Sequence, residues 1–587
     1  MGVKQSMNFG LLWFLCLQGG LLLCIMAQTD NFLFIVDEAK IPRLCQPAQI
    51  LLTVNGTFPG PNITVTRGAT VNVTVQNKGP YPITIHWHGV KQLRNPWSDG
   101  PEYITQNPIP PYEGSFNYTL RFSDEEGTLW WHAHSDWSRA SVHGAIIVLP
   151  APTKKYPFEP QPDHNRTIIL GSWFKYDRNL TQQYLDSLIS GGDVDPADSY
   201  TINGYPGQPG ASCDDIDILQ VDSGKTYHLR IINAVMEEEM FFAISGHTFT
   251  VVGLDGAYLT PIPTNHIMIT PGQTMDILLT ANQSSGNYYM GASAFVHAGR
   301  SDPIDLPVTR AIINYSDYTG SVIQDDLVGQ LLPTDIKNVS YANEFTDRIR
   351  GLTGNPDYPI TVPTVINKNF LITISVNSVA CIFQPSNCTG PPYIDGTGGM
   401  HTASLNNQRF VTKEINILQA YRCKLEDVYT EDFPATPPKP FDYNAADTGD
   451  NEAVPTVGTK VMTVNYGDAV EIVFQGTNVG NAENHPMHIH GYNFYLVANG
   501  SGNFGSSSVE YRLDNPAQAN TFGVPKNGWL AVRFQANNPG VWFLHCHLER
   551  HATWGMAGVL IVKNTTTDVD QTLTDPPAGY PPCPLLN

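Results

Sequence analysis

The stretch Thr64–Gln76, TVTRGATVNVTVQ, alternates apolar and polar residues on both sides of a Gly. A period of two is typical of β-strands that cover one face of a core, and Gly marks the turns between them. Two later stretches repeat this pattern of a turn and an alternating strand that ends near Asn. They are Asp222–Asn233, DSGKTYHLRIIN, and Tyr466–Asn478, YGDAVEIVFQGTN. The repetition predicts three similar β-rich blocks in one chain.

Length and composition agree with an all-β chain. It has 587 residues with 50 Gly and 45 Pro, and charged residues make up only 15%. At about 100–200 residues per domain, this length fits three or four domains, and the frequent turns suit sandwiches or barrels. Almost no long helical pattern is found. We therefore expect a first domain over 29–155, a second over 156–320, and a connector plus third domain over 321–587.

The N-terminus has the pattern of a secretory signal peptide. Lys4 supplies a positive charge, the run Leu11–Met26 is largely apolar, and the small residue Ala27 precedes Gln28. This order predicts that residues 1–28 are removed on secretion, with an uncleaved membrane anchor as the alternative. The net charge of −21 argues against nucleic acid or an anionic membrane as a partner.

Sequons for N-glycosylation agree with secretion. Twelve Asn-x-Ser/Thr sites are spread along the chain, which predicts an extracellular glycoprotein that we expect to be a monomer. The sites are Asn55, Asn62, Asn72, Asn117, Asn165, Asn179, Asn282, Asn314, Asn338, Asn387, Asn499 and Asn564.

Histidines are few after the leader, and most gather in four clusters, two in the first block and two in the third. The clusters are His86-Trp87-His88, His132-Ala133-His134, His485-Pro486-Met487-His488-Ile489-His490, and His545-Cys546-His547 followed by His551. Residues i and i+2 of a strand point to the same face, so each His-x-His pair can offer two imidazoles to one space.

The fourth cluster can reach two metal centres at once. His545 and His547 share one face of a strand, while Cys546 points to the other. A thiolate with two imidazoles is the blue-copper arrangement, often with a weak axial Met, and Met556 lies ten residues after Cys546. Zinc is the main competing metal, but structural zinc usually takes four ligands with Cys prominent. Several redox-active copper ions fit this set of donors best.

The motifs around the clusters resemble the multicopper oxidases, and within them the plant laccases, over nearly all of the chain after the leader. The stretches are WHGVKQLRNPWSDGPEYITQ from Trp87, SDEEGTLWWHAHSDWSRASVHGAIIVLP from Ser123, HPMHIHGYNF from His485 and HCHLERHATWGMAG from His545. The resemblance implies three cupredoxin-like β-sandwich or barrel domains and four copper ions. It also implies a trinuclear copper cluster between the first and third domains.

The resemblance implies a ligand set position by position. The type 1 copper would take His485, Cys546 and His551, with Met556 in the axial place. The type 2 copper would take His86 and His488. The type 3 pair would share His88, His132, His134, His490, His545 and His547.

The resemblance also implies the reaction and its place. A substrate gives single electrons near His485 or His551, and the electrons pass through Cys546 to reduce dioxygen to water. Small phenols such as lignin precursors or flavonoids are the expected substrates, and the apoplast or cell wall the expected location. Polymerisation and degradation of lignin both remain open as the role. Ascorbate oxidase and, less favoured, ferroxidase are the alternative activities, and a copper-binding wall protein without turnover is a third possibility.

Four carboxylates are candidates for supporting roles. Asp99, in WSDG, resembles a family carboxylate near the type 2 copper, which implies proton delivery or support of a ligand. A turn-capping Asp is the alternative. Glu237, Glu238 and Glu239 precede a strand that resembles the wall of the substrate pocket, and one of them could accept the hydrogen bond and proton of a phenol. A solvated acidic loop is the favoured interpretation of these three.

Two positions depart from the family pattern. Many laccases have Cys at the position of Asn107, bridged to the C-terminus, so Cys583 here either pairs with Cys423 or leaves both as thiols. We further expect bridges Cys45–Cys213 and Cys381–Cys388. Many plant laccases also have an apolar non-ligand, commonly Leu, where this chain has Met556. A coordinating thioether should lower the type 1 potential.

Overall fold

The computed structural model describes residues 30–175, 190–207, 215–295, 308–325, 332–333, 335, 337–381, 388–391, 397–445, 454–479, 482–565 and 571–583. Within them the chain is built mainly of β-strands with few helices, which confirms the predicted all-β class. The predicted signal peptide, residues 1–28, lies outside the described residues. No helix in the described ranges is long and apolar enough to cross a membrane.

The first unit is a sandwich of two four-stranded sheets. Its strands are β1 (Asp30–Ile41), β2 (Gln49–Val54), β3 (Ile63–Thr66), β4 (Thr70–Asn77), β5 (Ile85–His88), β6 (Gly114–Arg121), β7 (Gly127–Ala133) and β8 (His143–Leu149). One sheet has the order β2-β1-β4-β6 and the other β3-β8-β7-β5. Side chains from both sheets form one buried cluster.

The second unit contains two larger sheets. Its strands are β9 (His164–Trp173), β10 (Ser199–Ile202), β11 (Ile218–Val221), β12 (Thr226–Asn233), β13 (Glu239–Ile244), β14 (Phe249–Leu254), β15 (Ala257–Thr264), β16 (His266–Ile269), β17 (Thr274–Thr280), β18 (Asn287–Phe295), β19 (Thr309–Tyr315) and β20 (Ile323–Asp325). The orders are β10-β9-β12-β17-β14-β15 and β11-β19-β18-β13-β16, with β20 beside β18.

The third unit also contains two sheets. Its strands are β21 (Lys368–Ala380), β22 (Gly399–Leu405), β23 (Gln408–Phe410), β24 (Thr456–Gly458), β25 (Val461–Asn465), β26 (Ala469–Gly476), β27 (His485–Ile489), β28 (Phe494–Ser501), β29 (Gln518–Ala519), β30 (Thr521–Val524), β31 (Gly528–Gln535), β32 (Gly540–Cys546) and β33 (Ala557–Lys563). The orders are β24-β23-β22-β21-β26-β31-β28-β29 and β25-β33-β32-β27-β30.

Helices are short in the described part of the chain. They are α1 (Val339–Thr346), α2 (Ile417–Cys423) and α3 (Glu549–Trp554), with 3₁₀ turns at Pro96–Ser98 and Asp136–Ala140.

The three repeated sequence stretches occupy the same place in the three units. They form β4, β12 and β26, and each of these strands has one parallel and one antiparallel neighbour. The chain turns between β3 and β4 at Gly68, whose φ of +88° favours glycine. Because β3 and β4 belong to different sheets, this turn passes the chain from one layer of the sandwich to the other.

Burial differs between the three copies of this strand. Along β4, Val71, Val73 and Val75 are buried while the residues between them are part-exposed, and each buried Val contributes roughly 1.5–3 kcal/mol. Strand β12 is buried at every residue and β26 at all but its first. The polar residues of β12 are therefore buried as well, and Arg230 among them donates to the buried carboxylate of Asp276 at 3.1 Å.

Candidate metal centre

Strand pairing brings the histidine clusters together in two steps. β5 and β7 are antiparallel, and His86 lies opposite His132. In the third unit β27 is antiparallel to β32, and His488 lies opposite His545. Directly opposed residues of such a pair lie on the same face of the sheet. Each unit therefore offers histidines from two strands on one face.

The histidine-bearing faces of the first and third units meet around one buried space. The ring centroids of His86 and His490 are 3.8 Å apart, those of His88 and His488 are 3.9 Å apart, and His547 lies 4.9 Å from His88. Three sets of rings offer nitrogens within 4.8 Å of one another. They are His86, His88 and His132; His86, His488 and His490; and His134, His490 and His545.

The hydrogen bonds of these rings leave specific nitrogens free. Backbone carbonyls lie 2.8 Å from Nδ1 of His86, His132 and His488. A carbonyl only accepts, so Nδ1 carries the proton and Nε2 keeps its lone pair. These three Nε2 atoms are buried without a hydrogen-bond partner among the described residues. In His88 the roles of the two nitrogens are exchanged. Its Nε2 lies 2.8 Å from Asn520 Oδ1, and its Nδ1 is the buried, unpartnered atom.

Burial keeps the rings in the neutral form that binds metals. It lowers the pKa of seven of them well below the ordinary value, and charge on neighbouring imidazoles lowers it further. Those seven are His88, His132, His134, His488, His490, His545 and His547. Buried lone pairs without donors are costly, and a bound cation satisfies them. The donor set therefore fits metal ions that accept imidazole.

Asp99 connects the two halves of the histidine cluster. It is fully buried, follows the 3₁₀ turn Pro96–Ser98, and accepts a hydrogen bond of 2.9 Å from His490 Nδ1. Its other carboxylate oxygen lies 3.4 Å from His86 Nδ1, and its carbonyl oxygen 2.8 Å from the same atom. Burial raises the pKa of Asp99, and His86 offsets part of that rise. Asp99 thus orients one histidine from each unit.

A second donor set lies on the other face of β32. Cys546 Sγ is 3.8 Å from His485 Nδ1 and 3.6 Å from His551 Nδ1, and the two nitrogens are 3.2 Å apart. All three residues are buried. Burial raises the pKa of the Cys546 thiol well above its ordinary value, so a thiolate here requires a cation. Cys546 is the free cysteine of the described residues, as the blue-copper prediction requires.

The helix α3 and its end place Met556 beside this set. The helix stops at Gly555, whose φ of +109° is left-handed, and an added Cβ there would lie 2.5 Å from the Arg409 side chain. The Met556 amide then donates to the His551 carbonyl at 2.8 Å, while its own carbonyl accepts from the Cys546 amide at 3.1 Å. Met556 is fully buried. Axial coordination by its thioether stays a prediction.

Two charged residues beside His551 were missed by the sequence prediction. Glu483 accepts a hydrogen bond from Arg550, and its Oε1 lies 3.1 Å from His551 Nε2. Although burial opposes ionisation, Arg550 and His551 hold the pKa of Glu483 well below its usual range. Its position two residues before His485 was the available signal. With the side chain 18% exposed, Glu483 lies between His551 and the surface.

The run Glu237–Glu239 is not a solvated loop, so the favoured interpretation was wrong. All three residues are 4–6% exposed. Glu237 Oε1 accepts from the Arg550 amide at 3.0 Å, and Glu239 Oε2 accepts from Asn484 at 2.8 Å. Burial raises the pKa of Glu237 to about 8, against the attraction of Arg550, and that of Glu239 to about 7. The run packs against residues adjacent to His485 and His551 because these partners supply donors for its carboxylates.

The disulfides settle most of the cysteine pairings. The bridge Cys381–Cys388 is confirmed, and Cys583 pairs with Cys423. Cys45 is disulfide-bonded, while Cys213, its expected partner, lies outside the described residues. At Asn107, where the family resemblance implied a cysteine, the side-chain Oδ1 accepts a hydrogen bond from Asn416 at 3.0 Å.

Comparison with known proteins matches this geometry to one family. Models described as "Multicopper oxidase" match residues 35–153, 164–318 and 432–566. The structure has two histidine donor sets, one of which includes a thiolate, and a single tripeptide joins them. This is the arrangement of a multinuclear oxidase site. The chain belongs to the multicopper oxidase family. Curated laccases match it over nearly their whole length, which places it among the laccases of that family.

The most informative relatives come from plants. Laccase-14 of Arabidopsis thaliana is 45% identical over 95% of this chain and 94% of its own length. Putative laccase-9 of Oryza sativa subsp. japonica is 44% identical over 95% of each chain. Among solved structures, Fet3p, titled a multicopper oxidase that functions in iron import, is 21% identical with a TM-score of 0.68 over 91% of this chain and 90% of its own. The laccase from Botrytis aclada has a TM-score of 0.66 at 22% identity over 91% and 88%.

Proposed function

We propose that this laccase removes single electrons from small phenols and reduces dioxygen to water, with ten histidines and Cys546 holding four copper ions. The observation that carries the proposal is the tripeptide His545-Cys546-His547. Its cysteine belongs to the set with His485 and His551, and its histidines face the larger cluster. The bonds of this tripeptide are therefore a short covalent route between the two sets of donors.

The ligand assignment is the one that the family resemblance implies, and the unpartnered nitrogens of His86, His88, His132, His488 and His547 support it. His485, Cys546 and His551, with Met556 as a further donor, would hold the type 1 copper. His86 and His488 would hold the type 2 copper through Nε2. The type 3 pair would take His88, His132, His134, His490, His545 and His547. When bound, copper supplies the one-electron redox steps and the site at which dioxygen is reduced.

The substrate hydroxyl is expected to approach the proposed type 1 site beside His551. The partly exposed Glu483 is the carboxylate nearest this imidazole on the surface side, and it can accept the hydrogen bond of a phenol while it holds the ring of His551 through Nε2. We propose Glu483 for this role before Glu237, Glu238 and Glu239, which stay as candidates. Both oxygens of Glu237 are directed at Arg550, and Glu239 is held by Asn484.

Asp99 is proposed to serve the dioxygen side of the reaction. Its carboxylate holds His490 and lies beside His86, so it fixes a ligand of the type 3 pair and one of the type 2 copper together. It is also a buried carboxyl group that can pass protons to a reacting oxygen atom within this space.

Secretion to the apoplast or cell wall as a monomeric glycoprotein is proposed on the leader and the sequons. Seven of the sequon asparagines are exposed, as a glycan acceptor requires, while Asn179 and Asn387 lie outside the described residues. The exposed ones are Asn55, Asn62, Asn117, Asn165, Asn282, Asn499 and Asn564. We keep the domain boundaries 29–155, 156–320 and 321–587 as part of this proposal.

The test combines spectroscopy and turnover. The purified protein should contain about four coppers per chain, with an intense red-region absorption band from the thiolate and a near-ultraviolet shoulder from the coupled pair. A Cys546→Ser variant should lose the red-region band and keep the shoulder. Oxygen consumption with a methoxyphenol should exceed that with ascorbate or Fe(II). Zinc in place of copper, or a fully metallated protein without the band, would refute the proposal.

The comparisons do not favour the ascorbate oxidase alternative, since the full-length relatives are laccases. The likeness to Fet3p concerns the fold alone at 21% identity, so it does not support a ferroxidase.

A further inference from the structure

The second unit supplies none of the proposed copper ligands, yet one of its turns reaches the trinuclear cluster. The turn Thr270–Thr274 joins β16 to β17. A Cβ on Gly272 would lie 2.8 Å from the ring of His547, and the Gly272 carbonyl accepts from the indole of Trp130 at 3.0 Å. The second unit therefore contacts the histidine cluster directly, and only Gly leaves room for His547 at this position.

The same turn and the residue after β14 form hydrogen bonds with the dipeptide Asn520-Thr521 of the third unit. Asp255 Oδ2 accepts from the amides of Asn520 and Thr521, both at 3.1 Å. Gln273 Nε2 donates to the Thr521 carbonyl at 2.8 Å. The other oxygen of Asp255 accepts from the Thr274 amide at 2.8 Å, and this bond connects Asp255 to the turn that contains Gln273. All of these residues are buried, so water does not compete for the bonds.

The dipeptide Asn520-Thr521 in turn contacts His88 and His488. Asn520 Oδ1 lies 2.8 Å from His88 Nε2, and the Asn520 carbonyl lies 2.8 Å from His488 Nδ1. The Thr521 hydroxyl lies 3.2 Å from His88 Nε2 and 3.1 Å from His488 Nδ1. Asn520 thus contacts two rings whose centroids are 3.9 Å apart.

The contact with His88 selects the nitrogen that can bind a metal. The ring must carry its proton on Nε2 to donate to the Asn520 amide oxygen, which leaves the lone pair on Nδ1. Nδ1 is the buried atom of His88 without a partner among the described residues. His86, His132 and His488 carry the proton on Nδ1 instead. Without the Asn520 acceptor, the longer contact of 3.2 Å to the Thr521 hydroxyl is what these contacts leave to keep the proton on Nε2.

We propose that Asn520 is a positioning residue that sets Nδ1 ligation by His88, and that the second unit fixes Asn520 through Asp255 and Gln273. This inference rests on the proposed function, because it takes His88 as a ligand of the type 3 pair. It assigns the second unit, which supplies no proposed copper ligand, a role in binding and retaining copper in the trinuclear site.

The test compares Asn520→Leu, which has a similar size and no acceptor, with Asn520→Asp, which keeps an acceptor. Asn520→Leu should retain the thiolate band, lose the near-ultraviolet shoulder, and gain an electron paramagnetic resonance signal from uncoupled copper. The chelator concentration that removes copper should fall roughly 10–100-fold, as for other groups that orient metal ligands. Asn520→Asp should restore the shoulder. Gln518→Leu, which removes an amide two residues earlier in the chain, is the matched control and should behave as wild type.

Two further variants test the second unit and cover a folding failure of Asn520→Leu. Gln273→Leu and Asp255→Asn should fold, keep the thiolate band, and release copper at a lower chelator concentration than wild type. Wild-type copper retention in both would overturn the role of the second unit. An unchanged shoulder and copper content in a folded Asn520→Leu would overturn the role of Asn520. Wild-type protein without four coppers or the thiolate band would instead refute the proposed function.

Discussion

Replacing Glu239 by Gln tests whether a buried carboxylate beside the proposed type 1 donors lowers the stability of the fold in a pH-dependent way. Glu239 begins β13, is 5% exposed, and accepts a hydrogen bond from Asn484, the neighbour of His485. Burial raises its pKa from 4.5 to about 7, with the Asn484 bond opposing that rise. Gln has nearly the same shape and can still accept from Asn484, so the variant removes the ionisation and little else.

The magnitude follows from proton linkage. A pKa difference of one unit corresponds to about 1.4 kcal/mol, so a rise from 4.5 to about 7 is worth about 3 kcal/mol. The sign is destabilising, because the folded state holds a proton that the unfolded state has already released. Wild-type stability should therefore fall relative to the variant as pH rises from about 4.5 to about 7, and the difference should level off above that range.

The assay is the thermal midpoint of wild type and Glu239→Gln, with equal copper content, at about pH 5 and about pH 8. The variant should gain about 2–3 °C relative to wild type at the higher pH and little at the lower. Glu510→Gln removes a carboxylate from an exposed position and should show no such difference. A pH-independent difference between Glu239→Gln and wild type would refute the reasoning. The Michaelis constant for a phenol, measured on the same samples, should rise only if Glu239 also binds substrate.

Three further predictions concern residues next to the proposed copper donors. Met556→Leu should raise the type 1 potential in a redox titration, and an unchanged potential would mean that Met556 does not coordinate. Glu483→Gln should also raise this potential, because it removes an anion beside His551. It should lower stability by less than the roughly 3–5 kcal/mol of a buried charge left alone, because Arg550 keeps longer ion pairs with Glu237 and Asp193. Asp99→Asn should lower oxygen turnover roughly 10–100-fold at full type 1 colour, and undiminished turnover would contradict its role.

The sequence predicted those features that depend on local spacing. The repeated stretch at Thr64–Gln76 indicated a strand at the same place in each unit, because period-two alternation and a turn Gly are local signals. The division of His545, Cys546 and His547 between two faces follows from strand geometry in the same way. The structure brings these residues into separate donor sets, as the spacing implied.

Features that depend on partners far along the chain could not be predicted. An acidic run such as Glu237–Glu239 normally lies in water, and nothing adjacent to it in sequence indicates that Arg550 and Asn484 will supply buried donors. The role of Asp255 is hidden for the same reason, since its partner Asn520 lies 265 residues away. The pairing of Cys423 with Cys583 was left open because spacing alone does not determine connectivity.

The register of β27 fixes residues of both proposed copper sites at once. The strand lies between β30 and β32, so His488 is fixed opposite Thr521 on one side and opposite His545 on the other. A slip of one residue would turn every side chain of β27 to the opposite face, which would move His488 away from the cluster. Such a slip would also remove Thr521 from His488 and Met487 from its place opposite Cys546. Because two neighbours enforce one register, the same pairing of β27 places His485 in the proposed type 1 set and His488 in the proposed trinuclear set.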